Sequence, residues 1–135
     1  DQIISSISPN LGVYATEPDA DPVQEWLTSC EAFLPFSNDK QLVLPGHKLP
    51  FYGLPHRLKQ LIENHHSALK RLVAFLKEPQ TAVDCFPVLF NRKISDNEYG
   101  LALVEAVAHL NHLYRKKIVK RELNSKGAYV YTLKN

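Results

Sequence analysis

Between Pro55 and Lys77, apolar side chains recur at Leu58, Leu61, Ile62, Leu69, Leu72, Val73 and Leu76. Spacings of three and four sustained for about six turns fix one amphipathic helix, whose apolar stripe must be covered by other elements. Pro55 suits the first turn of that helix and Pro79 closes it. The remaining elements must therefore supply a lid for this stripe. A helix from Pro22 to Leu34, opened by Asp21 as N-cap and stopped by Pro35, presents Val23, Trp26, Leu27 and Cys30 on one face. A second short helix is expected over Thr81–Phe90, kinked or tightly ended at Pro87. A further helix, capped by Asp96 or Asn97, is expected from Glu98 to Lys116, with Leu101, Val104, Ala108, Leu110 and Leu113 inward.

The chain ends differently. Lys117–Leu123 and Ala128–Leu133 are β-prone runs around Asn124-Ser125-Lys126-Gly127, a hairpin with a four-residue loop and a glycine free to take positive φ. Three helices followed by a hairpin is the element order of a winged helix. Upstream, Gln41–Leu44 reads as a short strand leading into a Pro45-Gly46-His47 turn, and Leu49–Leu54 is an aromatic connector without helical period.

Charge divides the chain in the same place. Residues 1–54 carry 2 basic and 7 acidic side chains, net −5, and residues 55–135 carry 14 and 7, net +7. That asymmetry supports two units with different partners. No apolar run approaches the ~18 residues that span a bilayer, and no signal peptide is visible. Cys30 and Cys85 fit no metal or redox spacing and read as reduced core thiols, so the expected location is cytoplasmic. The chain contains no methionine and begins at Asp1, as expected of a processed product or a fragment.

The candidate chemistry is sparse. His47 on its strand-end turn is a good place for a metal ligand, since Gly46 lets another group approach closely. His65 and His66 point about 100° apart on a helix and cannot share an ion. His109 and His112 are three apart on an apolar helix without a cysteine or carboxylate cluster, so all four histidines take structural roles. Lys116, Lys117, Lys120, Arg121 and Lys126, beside Arg115, are candidate nucleic-acid contacts at the helix end and hairpin. Positions 101–110 are too apolar to read bases, which leaves nonspecific RNA or DNA affinity or domain packing. No phosphate-binding glycine loop, nucleophile elbow or His-x-x-x-His motif is present, so no complete catalytic set exists in the chain.

Leu42-Val43-Leu44-Pro45-Gly46-His47 resembles the last metal-binding strand and turn of metallo-β-lactamase-fold hydrolases. Ile7–Asn10 and Glu17–Pro22 resemble the loop and helix start before it. Leu49–Gly53, Val88–Phe90, Ala108–Asn111 and the hairpin resemble the connector and the winged-helix domain associated with that superfamily. The resemblance implies an α+β chain: residues 1–54 the C-terminal remnant of an αββα sandwich, residues 55–135 a winged-helix domain. It implies that His47 is the final histidine ligand of a dinuclear site and that Asp1 bridges its two ions, either zinc or zinc with iron or manganese, binding a hydroxide. The family's His-x-His-x-Asp-His motif is absent from this sequence, so a missing N-terminal half is the expected partner, and the chain alone is expected to be inactive. Thioesters or related acyl compounds are the implied substrates. An RNA-cleaving relative with a basic winged helix, or a noncatalytic interaction module, are the alternatives.

Overall fold

A computed structural model of the protein describes residues 1–134; Asn135, the last residue of the expected 55–135 unit, lies outside them. The element order is α1 (Pro22–Phe33), α2 (Leu54–Phe75), β1 (Gln80–Thr81), α3 (Phe86–Phe90), α4 (Tyr99–Arg115), β2 (Val119–Leu123) and β3 (Tyr129–Leu133). The architecture is α+β, with helices packed beside one antiparallel sheet ordered β1-β3-β2.

The helix starts follow local chemistry. Asp21 accepts the Gln24 N–H at 3.0 Å and caps α1, with Pro22 in the first turn. The expected long helix forms as α2, and Leu58, Leu61, Ala68, Leu69 and Leu72 bury its apolar stripe. A fully buried leucine contributes about 1.5–3 kcal/mol relative to an exposed one. Against that stripe lie Val23, Trp26 and Leu27 of α1, Leu89 of α3, and Ala106, Leu110 and Leu113 of α4 in one continuous cluster. This core crosses the 54/55 position, because Ile3 and Val13 from the N-terminal segment belong to it too.

Backbone hydrogen bonds strap that segment down. Val13 N–H donates to the Val104 carbonyl at 3.0 Å. The Trp26 indole donates to the Gln2 carbonyl at 2.8 Å, and Arg57 Nε donates to the Ile4 carbonyl at 2.7 Å. At Gly12 the strap passes so close to α4 that an added Cβ would sit 2.8 Å from Val104 Cγ2.

Leu101, expected inward on α4, is 58% exposed, and four further local expectations require correction. The helix expected over Thr81–Phe90 is only Phe86–Phe90, because Gln80 and Thr81 pair with Tyr131 and Val130 and extend the hairpin to three strands. Pro87 therefore sits in the first turn of α3, where its missing N–H costs nothing, rather than kinking a longer helix. Neither Asp96 nor Asn97 is the cap before α4. Ser95 and Glu98 form a capping box around a 3-10 turn that leads into it. The strand expected at Gln41–Leu44 reduces to a single bridge, Val43 with Phe51. A strand needs a neighbour to satisfy its backbone groups, and among the described residues only Phe51 meets it.

The α4–β2 junction is a Schellman motif. Lys117 N–H donates to the Tyr114 carbonyl at 2.9 Å and Ile118 N–H to the Leu113 carbonyl at 3.0 Å. Lys117 takes the left-handed position, φ 60°, that usually belongs to glycine. In the hairpin loop Gly127 takes its expected positive φ, 76°.

Candidate functional site

The Pro45–Lys48 turn is closed at its base by the Val43–Phe51 pair, whose two N–H···O bonds measure 2.9 and 3.1 Å. Its tip meets the chain's first residue. His47 N–H donates to Asp1 Oδ1 at 3.1 Å, and His47 Nδ1 contacts Asp1 Oδ2 directly. Gly46 makes this approach possible, since a Cβ there would lie 3.0 Å from Asp1 Oδ1. Asp1 is held in turn by the residues after it: Ile3 and Ile4 are buried, and the carbonyls of Gln2 and Ile4 accept from Trp26 and Arg57. The two candidate metal ligands, 46 positions apart in the sequence, are thereby brought together.

A carboxylate and an imidazole are suitable donors for zinc, and a structural or catalytic zinc needs three or four such ligands. Among the described residues no group of three or more His, Cys, Asp or Glu is arranged to hold an ion. Asp1 and His47 supply two donors of that kind and do not complete a metal site. The imidazole is largely solvent-facing, with 74% of its side chain exposed against 23% for Asp1. Around the turn lie the exposed apolar side chains Phe36, Leu42, Leu44, Leu49 and Tyr52.

His65, His109 and His112 are held by contacts within the fold. His109 Nδ1 donates to the Glu105 carbonyl at 2.9 Å, which leaves its Nε2 to accept from His65 Nδ1 at 3.2 Å. The rings stack 5.4 Å apart, with Trp26 against the other side of His65. His65 Nε2 is then a buried acceptor without a partner. Burial pushes both imidazoles down to about 4, so they are neutral at pH 7. His112 sits 3.1 Å from the Asp21 carboxylate and joins α4 to the start of α1. Both Cys30 and Cys85 are free, buried thiols, and burial raises each, Cys85 to about 12.

Beside the histidine pair, Asn64, Ser67, Arg71, Arg92 and Glu105 line a polar cavity of about 460 Å³ between α2 and α4. Sequence reasoning missed it. Burial raises the Glu105 carboxyl to about 7, against the opposing pull of Arg92. Both arginines are engaged, Arg71 with the Val88 and Leu89 carbonyls behind α3 and Arg92 with Glu98 at 2.6 Å. The sequence signal was Glu105 and His109 at i, i+4 on an otherwise apolar helix face.

The five candidate nucleic-acid contacts divide. Lys116, Lys117, Lys120 and Lys126 are exposed. Arg121 instead bonds Asp19 at 3.0 Å and Asn111 at 3.4 Å, with its guanidinium between the rings of Tyr114 and Tyr129 at 4.3 and 4.5 Å. It fastens the hairpin to the N-terminal strap, a role its neighbours in sequence do not share. Among the described residues no helix is long and apolar enough to cross a membrane.

Residues 69–134 match the family model described as the metallo-beta-lactamase-like C-terminal domain. The whole fold is similar to a beta-lactamase domain protein from Burkholderia ambifaria, with TM-score 0.93, 31% identity, and coverage of 99% of this chain and 39% of that one. It is also similar to a metallo-beta-lactamase family protein from Thermus thermophilus, with TM-score 0.81, 26% identity, and coverage of 99% and 40%. No curated protein sequence matches the chain. The chain thus spans about two fifths of the length of these solved relatives. Residues 69–134 resemble the C-terminal domain of metallo-beta-lactamase-like proteins, and the fold resembles about two fifths of two larger proteins of that description.

Proposed function

We propose that this chain is the C-terminal part of a metal-dependent hydrolase of the metallo-β-lactamase superfamily, acting on thioesters or related acyl substrates. The observation that carries the reading is the meeting of Asp1 with His47 across a glycine that only just admits the carboxylate. In this reading Asp1 would be a ligand common to two ions and His47 a ligand to one of them. The ions are zinc, or zinc with iron or manganese, and the remaining donors come from sequence outside this chain. When bound, zinc supplies an ionised water near neutral pH and polarises a carbonyl or phosphoryl oxygen. This chain's share is positional. The His47 N–H fixes one carboxylate oxygen of Asp1, and the Trp26 and Arg57 bonds hold the backbone behind it.

In this reading residues 1–54 belong to the hydrolase domain and residues 55–135 to a winged helix, the two sharing the core that crosses position 54/55. The order of a helix, a short strand, two helices and a hairpin, with β1 completing the sheet on β3, supports the second assignment. The exposed Phe36, Leu42, Leu44, Leu49 and Tyr52 support the first, since apolar groups around a site edge want a covering partner. The missing N-terminal half of the hydrolase domain is that partner.

A nuclease reading is favoured by one observation, the exposed lysines at the end of α4 and in the hairpin. The two readings separate in a protein that carries upstream sequence, loaded with zinc and assayed on acyl thioesters and on single-stranded RNA. Thioester turnover without RNA cleavage is expected. RNA cleavage that falls when Lys117→Glu and Lys120→Glu are combined would replace the acyl reading with the nuclease. Turnover of neither substrate class would remove both.

A further inference from the structure

We propose that the basic pocket at the C-terminal end of α4 is a binding site for a compact phosphate-type anion such as a diphosphate. This inference does not depend on the metal assignment. Arg115, Lys117, Lys120 and Lys134 converge on a pocket of about 410 Å³ that Tyr114 and Val119 complete, and among the described residues no aspartate or glutamate lines it. Two of the cations have partners: Lys120 meets Glu122 at 3.3 Å between exposed side chains, and Arg115 donates to the Asp19 carbonyl at 3.1 Å. A helix C-terminus presents about half an elementary negative charge. Four cations exceed that several-fold, so the macrodipole alone does not account for them.

Lys117 is the sharper observation. It holds the left-handed position of the Schellman motif, φ 60°, where glycine relieves the strain of a Cβ. Strained non-glycine residues persist where their side chain has a task. Lys117 lines the pocket together with three other cations.

The four cations around one pocket point to a compact, multiply charged anion. Lysines bind phosphate oxygens as point charges, and several around one pocket suit a doubly or triply charged group. An extended strand of RNA also needs free aromatic faces on which bases stack. The aromatic ring in the pocket is Tyr114, and the Arg121 guanidinium already lies over it at 4.3 Å. Phosphate chemistry is common to both sources, and the lack of a free aromatic face favours the compact one.

The test is calorimetric titration of the 135-residue chain with inorganic pyrophosphate at low ionic strength, repeated in competition with a single-stranded RNA oligonucleotide. Saturable binding at one site is expected. Lys117→Gly should weaken it about tenfold, the weight of one charge-assisted hydrogen bond, while raising the thermal midpoint. Lys120→Ala combined with Lys134→Ala should weaken it further, and Lys126→Ala, outside the pocket, should leave it unchanged. RNA that fails to displace pyrophosphate supports the small-ligand source, and RNA that displaces it supports a phosphodiester source at the same site. Absence of saturable binding, or equal affinity in the wild type and the Lys117→Gly chain, would overturn the proposal.

Discussion

Residues 33–52 and the α2–α4 body solve the problem of apolar surface in opposite ways. In the body Leu58, Leu61, Leu72 and Leu110 are fully buried by partners within this chain. In the 33–52 loop Phe36, Leu44 and Leu49 are 78, 73 and 77% exposed, although the side chains are equally apolar. The difference lies in hydrogen bonding as much as in hydrophobicity. A helix satisfies its backbone internally and is free to turn its stripe towards any neighbour. The 41–51 segment needs another strand and has only the Val43–Phe51 pair. Its exposed apolar groups mark where covering surface is wanted, and that is the region where Asp1 and His47 meet.

The largest expected effect would break or keep this contrast directly. Leu72→Ala, in the body, should cost about 2–5 kcal/mol by chemical denaturation, and Leu44→Ala should stay within about 0.5 kcal/mol. Equal losses would show that the loop is packed as tightly as the helices.

Titration sharpens the body's side of the comparison. His65 and His109 sit at about 4 in the folded chain against 6.5 for an exposed histidine. Below about 6.5 the unfolded state takes up more protons, so their contribution is lost as pH falls towards 4. Glu105 runs the other way. Its folded value of about 7 against 4.5 keeps the folded state protonated longer, so its contribution is full below about 4.5 and is lost as pH rises through 7. Two histidines outweigh one glutamate. Urea midpoints should therefore climb from about pH 4.5 and level off near pH 7, and Glu105→Gln should steepen that climb.

Smaller effects test the junctions. Asp21→Ala removes the α1 cap and the His112 contact, and should lower stability by about 1–2 kcal/mol in the same denaturation assay. Lys117→Gly relieves a left-handed lysine and should raise stability by about 1 kcal/mol.

What the sequence made legible follows the same division. The 3.6-residue period located α2 and α4, and Asp21-Pro22 located the start of α1, because helices are specified by local spacing and caps. The hairpin was legible from its turn chemistry. β1 was not, since two residues, Gln80 and Thr81, carry no period and become a strand only because β3 offers a free edge. Within the site, His47 was legible from its turn and Asp1 only from the family resemblance, because nothing local reports that positions 1 and 47 meet. Arg121 was indistinguishable from its basic neighbours, for its burial depends on Asp19, Tyr114 and Tyr129 arriving from three other segments. The polar cavity was hidden for the same reason.

The central claim is that Asp1 and His47 form one edge of a metal site. It is tested most directly by metal content in a protein that carries upstream sequence, measured by elemental analysis before and after His47→Ala. The account predicts the loss of about one metal equivalent per chain with the fold retained. Unchanged metal content would contradict it.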